Sequence, residues 1–185
     1  MRSNAVLAGE SFNEEAAIEV RDKDGYKGVF AKGRIQPDAV IFYLNGTVST
    51  LPTKYTIQLS RQRHLNFPTI RKTNDDLDYC WQYLNHCCEP NGYMNTVDLT
   101  FRALREIAPG EEISFNYLTT ESELAEPFNC ICGSSNCFGN IEGRDFLTAE
   151  QADRLSLLLG EDNVVTLFMP TNENVFGRRK RSSIR

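Results

Sequence analysis

A chain of 185 residues, 41% of them hydrophobic, is long enough for one well-buried domain and short for two. No apolar run approaches the ~20 residues that span a bilayer, and Met1-Arg2-Ser3-Asn4 lacks the basic-then-apolar layout of a secretory signal, which predicts a soluble intracellular protein, nuclear or cytoplasmic. Of 20 basic against 25 acidic side chains, Arg178, Arg179, Lys180, Arg181 and Arg185 fall in the last eight positions, so residues 1–177 carry 15 against 25; such an acidic body suits a lysine-rich partner and disfavours direct nucleic-acid binding outside the basic tail.

Short β-prone runs recur along the chain: Ala17 to Val20, Val29 to Ala31, Ala39 to Tyr43, Tyr55 to Leu59, Val97 to Ala103 and Ile113 to Tyr117. Pro37-Asp38, Asn45-Gly46 and Pro109-Gly110 supply turns between them. The pattern predicts a mainly antiparallel β domain, and by periodicity alone a sandwich or a small barrel fits as well. One helix follows. Thr148-Ala149-Glu150-Gln151 reads as a capping box, Leu147 and Ala152 stand where a hydrophobic staple forms, and Ala152, Leu155, Leu158 and Leu159 make one apolar stripe before Gly160, expected to pack on the β core. Asn163 to Phe168 is apolar but short, and Gly177 to Arg185 reads as a disordered tail.

Six cysteines in a chain without a secretion signal argue for thiols and metal rather than disulfides. Cys130 and Cys132 fall on one face of an extended segment, and Gly133-Ser134-Ser135-Asn136 can turn Cys137 back toward them. Tetrahedral zinc in a closed structural site needs a fourth protein ligand, for which Cys80, Cys87 and Cys88 are the candidates. The plainer alternative is three buried or free thiols in a loop.

Two further segments complete a set: Asn85-His86-Cys87-Cys88-Glu89-Pro90-Asn91, and Glu111-Glu112-Ile113-Ser114-Phe115-Asn116-Tyr117. Each is weak by itself; a histidine beside a Pro-Asn turn is usually structural, His64 is isolated, and no nucleophile-base pair can be assembled. In this order, with Gly25-Tyr26-Lys27-Gly28-Val29-Phe30-Ala31 upstream and the cysteine loop downstream, they resemble the SET-domain protein-lysine methyltransferases that carry a post-SET zinc-binding segment. The resemblance covers roughly residues 16 to 142.

What the resemblance implies is specific. The fold is a SET fold, several short antiparallel sheets with a pseudoknot, followed by a cysteine-rich post-SET loop and one C-terminal helix. The expected organisation is an N-terminal extension (1–15), the SET domain (16–120), the post-SET zinc segment (121–144), a C-terminal helical segment (145–168) and a disordered basic tail (169–185). Zinc is held by Cys88, Cys130, Cys132 and Cys137, which leaves Cys80 and Cys87 as small core residues. S-adenosylmethionine is the cofactor: Asn85 and the backbone of His86 bind its purine, and Lys27, Gly28, Val29, Phe30, Gln82 and Tyr117 complete its site. Tyr26 stands where the family usually has a second glycine, and Asn116 where it usually has Asp.

Tyr117, at the end of a strand, is the expected catalytic residue, lining a narrow channel with Phe115. The reaction is transfer of the sulfonium methyl to a lysine ε-amine. An amine of pKa ~10.4 is protonated at neutral pH, and a dry aromatic channel with a sulfonium nearby favours the neutral nucleophile. The expected partner is a lysine-containing basic protein segment, a histone tail for instance, docking extended beside a strand edge. A catalytically silent SET-like zinc module that binds peptides is the alternative, and a small-molecule methyltransferase is disfavoured because no strand-loop-helix nucleotide pattern appears early.

Overall fold

The computed structural model describes residues 18–23, 25–68 and 76–159. The predicted N-terminal extension, the run Asn163 to Phe168 and the basic tail lie outside the described residues. Within them the regular structure is mainly short strands.

A hairpin opens the domain. β1 (Ile18–Lys23) and β2 (Tyr26–Ala31) pair in unbroken antiparallel register from Ile18↔Ala31 to Lys23↔Tyr26, around Gly25 at φ 87°. β3 (Val40–Tyr43) then joins β8 (Gly92–Asn95) and β9 (Thr100–Ala103) in a sheet of order β3-β9-β8. A third sheet, order β4-β6-β5, contains β4 (Thr47–Ser49), β5 (Ile57–Ser60) and β6 (Arg63–Asn66). A kinked 3-10 stretch, Asp76–Tyr83, leads into β7 (Asn85–His86).

The first sheet is completed from far along the chain. β10 (Glu112–Phe115) lies antiparallel to β2 on one side and parallel to β7 on the other, Ser114 opposite Asn85 and Phe115 opposite His86. This is the exception to the expected antiparallel pattern. It brings together two segments from either side of the β8–β9 hairpin, as a pseudoknot requires. β11 (Phe128–Asn129) and β12 (Asn140–Ile141) make a small ribbon around the cysteine loop.

Two of the strand boundaries that differ from the sequence reading do so for plain local reasons. Val97 to Leu99 turns instead of extending: Asn95 Oδ1 accepts from the Val97 and Asp98 N–H groups (3.0 and 3.3 Å), and Asp98 Oδ1 accepts from Thr100 N–H and Oγ1 (3.2 and 2.6 Å). Side-chain acceptors beside the backbone outweigh the β preference of Val97, which is left 75% exposed. Likewise β10 ends at Phe115, because Asn116 caps a 3-10 turn, Tyr117–Thr119, by accepting from Leu118 N–H (3.1 Å). Tyr117 therefore opens a turn and does not end a strand.

The main core gathers Val29, Ala31, Met94, Phe101, Ala103, Ile107 and Ile113, all fully buried, with Trp81 closing it through a bond from Nε1 to the Asn45 carbonyl (3.1 Å). Among the described residues the single α-helix is α1 (Ala149–Leu159). Its capping box forms reciprocally: Thr148 Oγ1 accepts from Gln151 N–H (3.2 Å) and Gln151 Oε1 from Thr148 N–H (3.0 Å). Its stripe departs from expectation in its target. Leu155 and Leu158 pack into a second cluster with Cys88, Leu118, Phe138 and Ile141, so the helix buttresses the cysteine loop and not the β core. No described helix is long and apolar enough to cross a membrane.

Candidate active site

Segment 84–91 is held to β10 by buried amides. Asn91, 2% exposed, donates to Glu111 Oε1 (2.9 Å) and the Glu112 carbonyl (2.8 Å), and accepts from Ser114 N–H (2.9 Å). Burial opposes the charge of Glu111, but Arg105, Asn91 and the Ala108 N–H outweigh it and hold the carboxyl down to about 2. Asn116, besides capping the next turn, donates from Nδ2 to the Cys88 carbonyl (3.4 Å). A carboxylate there could cap the turn but could not make that second bond, a physical use for Asn where the resemblance leads one to expect Asp.

Beside these segments opens a cavity of about 820 Å³. Its wall includes Tyr26, Gln82, Asn85, His86, Phe115 and Tyr117, then Glu121, Phe128 and the cysteine loop as far as Cys132. Four rings cluster: Phe115 and Tyr117 at 4.8 Å between centroids, His86 and Tyr117 at 5.2 Å, and Phe128 edge-on to His86 (5.6 Å) and Tyr117 (6.0 Å). The Tyr117 hydroxyl donates to the Leu84 carbonyl (2.7 Å). Burial, then the negative charges of Glu121 and Glu112, push its pKa up, so it stays a neutral phenol.

His86 is fixed at both nitrogens. Nδ1 accepts from Tyr117 N–H (3.1 Å), which places the ring proton on Nε2, and Nε2 faces Cys88 Sγ at 3.3 Å. Burial lowers its pKa to about 4. Asn85 uses its amide protons on the Lys27 carbonyl (3.2 Å) and Glu112 Oε1 (2.8 Å). No donor among the described residues reaches its Oδ1, which leaves an acceptor at the cavity wall.

Cys88, Cys130, Cys132 and Cys137 bring four sulfur atoms within 4.8 Å of one another, with Cys88 Sγ 3.7 Å from Cys130 Sγ and 3.8 Å from Cys137 Sγ. Four ligands at ~2.3 Å around a tetrahedral zinc lie ~3.8 Å apart, so the donor set and its spacing fit that ion. Backbone N–H groups of Phe138, Cys132 and Gly139 point at the sulfurs of Cys88, Cys130 and Cys137 (3.3, 3.4 and 3.4 Å). Protons alone serve this cluster poorly: burial pushes the Cys88 and Cys130 thiols up, the latter to about 11, while Cys132, despite burial, is held near 6 by N–H donors of Cys88 and Ser134. The cluster could hold a metal ion.

Residues 26–118 match the family model of the SET domain. The chain belongs to the SET-domain family. A methyltransferase of Aspergillus flavus, flvH, is 38% identical over 81 residues, 43% of this chain and 43% of that protein. An H3 lysine-36 specific histone-lysine N-methyltransferase of Coccidioides immitis is 31% identical over 150 residues, 73% of this chain and 14% of that protein. The chain thus spans less than half the length of either relative. Among solved structures, KRYPTONITE in complex with mCHG DNA and SAH shares the fold, with a TM-score of 0.51 and 17% identity over 66% of this chain and 28% of that one.

On this SET domain the predicted residues divide. Gln82, Asn85, His86, Phe115, Tyr117 and the cysteine loop reach one cavity. Lys27, Gly28, Val29 and Phe30 are not in its wall: Lys27 pairs with Asp76 and sits over the Tyr83 ring (5.0 Å), Val29 is core, and Phe30 is buried beneath Arg21 (4.8 Å). Cys80 is a core residue as expected, but Cys87 is not. It is half-buried on the cavity wall, with its thiol donating to the Glu89 carbonyl (3.3 Å). The reading missed Glu112, Glu121 and Phe128. Phe128 could have been noticed two residues before Cys130; nothing in the sequence around Glu121 marks it.

Gly28 has a packing reason to be glycine. A Cβ there would stand 3.0 Å from Glu112 Oε1, 3.0 Å from the Phe30 ring and 3.3 Å from Asn85 Nδ2. Gly28→Ala is expected to displace the Asn85–Glu112 pair and cost ~1 kcal/mol in a denaturation curve. An alanine variant as stable as the parent would contradict this role.

Proposed function

We propose that this SET domain is an S-adenosylmethionine-dependent protein-lysine N-methyltransferase with one structural zinc, acting on a lysine-containing basic segment such as a histone tail. The observation that carries the reading is the neutral Tyr117 hydroxyl, held by Leu84 inside an aromatic wall on the same cavity as the Asn85 acceptor. The names of the relatives support it: each is a methyltransferase, and one acts on a histone lysine.

Bound in the cavity, S-adenosylmethionine supplies a sulfonium methyl group. Asn85 Oδ1 suits a donor such as the purine amine, beside the His86 backbone and Gln82, and the Lys27 carbonyl, which accepts from Asn85 Nδ2, lies next to this end of the site. Phe115, Tyr117 and Phe128 exclude water from the reacting amine, which favours its uncharged form. The Tyr117 hydroxyl orients it. Cys88, Cys130, Cys132 and Cys137 hold zinc, and His86 ties that centre to the catalytic turn through its two ring nitrogens.

Incubation with isotopically labelled cofactor, a histone panel and total cell protein tests the reading. Label is expected on lysine. Peptide binding without any transfer would instead make the chain a silent module.

Phe115 bears on how many methyl groups are added. It is buried, tilted against Tyr117, and has no hydroxyl to anchor a water in the space where a methylated amine must rotate. Wild type is therefore expected to pass the monomethyl state. Phe115→Tyr should stall earlier while keeping the first transfer, as read by mass spectrometry over time; a wild type that stops at monomethyllysine in excess cofactor contradicts the assignment.

A further inference from the structure

Among the described residues, Glu121 is the carboxylate most withdrawn from solvent, 9% exposed, and it lines the same cavity as Tyr117. The Glu121 N–H donates to the Tyr117 carbonyl (2.9 Å), which fixes the two residues relative to each other. Oε1 accepts from Gln58 N–H (2.8 Å) and Thr120 Oγ1 (3.0 Å). No donor among the described residues reaches Oε2. The carboxylate thus has one oxygen fully engaged and the other left for the cavity, an arrangement that favours a cationic occupant.

The neighbouring strand strengthens the point. Gln58 N–H, on the edge of β5, is taken by Glu121, Thr56 N–H turns back to the Thr53 carbonyl (3.1 Å), and Gln58 Oε1 accepts from Ser122 N–H and Oγ (2.6 and 2.9 Å). The donors that an added strand would need here are already in use. What Glu121 offers an occupant beside Tyr117 is charge.

We infer that Glu121 receives the substrate amine: Oε2 pairs with the ammonium of a lysine side chain entering beside Tyr117 and takes one proton from it. This rests on the methyltransferase reading above. In the step an N–H bond breaks and an O–H bond forms. The freed nitrogen lone pair bonds the methyl carbon as the S–C bond breaks, sulfonium becomes neutral thioether, and Glu121 returns its proton to water as the product leaves.

Burial raises the Glu121 carboxyl to about 7, against Gln58 N–H, Thr120 and Arg144, which lower it. A proton acceptor near neutrality is suited to exchange with both substrate and water. Among the described residues Arg144 and Tyr117 interact with it electrostatically, Glu112 acts on Tyr117, and the cavity wall also carries Tyr55, His86, and Lys54 paired with Glu126 at 3.8 Å.

Glu121→Gln separates this role from a structural one. Its amide oxygen can still accept from Gln58 and Thr120, while the charge is lost. At pH 8 the variant is expected to lose ~100-fold in kcat/KM with cofactor affinity kept, and its pH profile should lack the wild-type limb near 7. A second readout needs no turnover: in the wild type, the Glu121 carboxyl carbon is titrated by NMR with and without n-butylammonium, the tip of a lysine side chain. The cation should lower the carboxyl's pKa, and n-butanol should not. No shift with n-butylammonium, or a glutamine variant with the wild-type rate and profile, overturns the role of Glu121 and leaves the methyltransferase standing. A wild type that transfers no methyl while n-butylammonium still shifts Glu121 overturns the methyltransferase reading instead.

Discussion

Removing the proposed zinc from the four-cysteine site is expected to unfold the cysteine loop, release α1 and open the cavity, so that folding and turnover fall together. The four sulfurs come from two regions, Cys88 beside β7 and the other three from residues 130–137, and α1 packs on the cluster that contains Cys88. Structural zinc contributes apparent binding energies of ~10–16 kcal/mol in small domains. Only part of that must appear here for the melting temperature to drop by ~10 °C or more. Metal analysis should give about one zinc per chain. Cys88→Ser and Cys132→Ser should both lose it, whereas Cys87→Ala should retain it, because Cys87 lies outside the cluster and bonds to Glu89. A metal-free protein with full activity and unchanged melting would end the zinc assignment.

Tyr117→Phe is expected to lower kcat by ~10²–10³, the range for loss of one positioned hydrogen-bonding group in an active site, with cofactor affinity changed less than about twofold. The ring contacts to His86, Phe115 and Phe128 survive the substitution, as does the bond from the backbone N–H of residue 117 to His86. Only the hydroxyl and its bond to Leu84 are lost. Stopped turnover with cofactor affinity and melting temperature intact is the expected signature. Wild-type turnover by a folded Tyr117→Phe protein would remove Tyr117 from the mechanism.

Much of this was legible in the sequence where one side chain or a fixed spacing decides the outcome. The capping box formed between Thr148 and Gln151, and the three downstream cysteines met Cys88. Among the strands missed, β7 has two residues, too few for any periodicity, and exists because Asn91 and Asn116 tie its segment to β10. Val97 to Leu99 misled for the opposite reason, since its apolar residues suggested a strand that the acceptors of Asn95 and Asp98 turned aside. Glu121 was invisible because its burial depends on Gln58, 63 positions away in sequence. Lys27 to Phe30 are placed at a ligand only by resemblance; in the fold Val29 and Phe30 are buried and Lys27 pairs with Asp76.

The central claim is tested most directly by site-resolved mass spectrometry of a histone and total-protein mixture after incubation with isotopically labelled S-adenosylmethionine. Wild-type and Tyr117→Phe proteins are run side by side at equal cofactor occupancy. The account predicts labelled methyl on lysine Nζ with wild type, and on the order of a hundredfold less with the variant. Label absent from every lysine, or found on another atom at equal rates with both proteins, would contradict it.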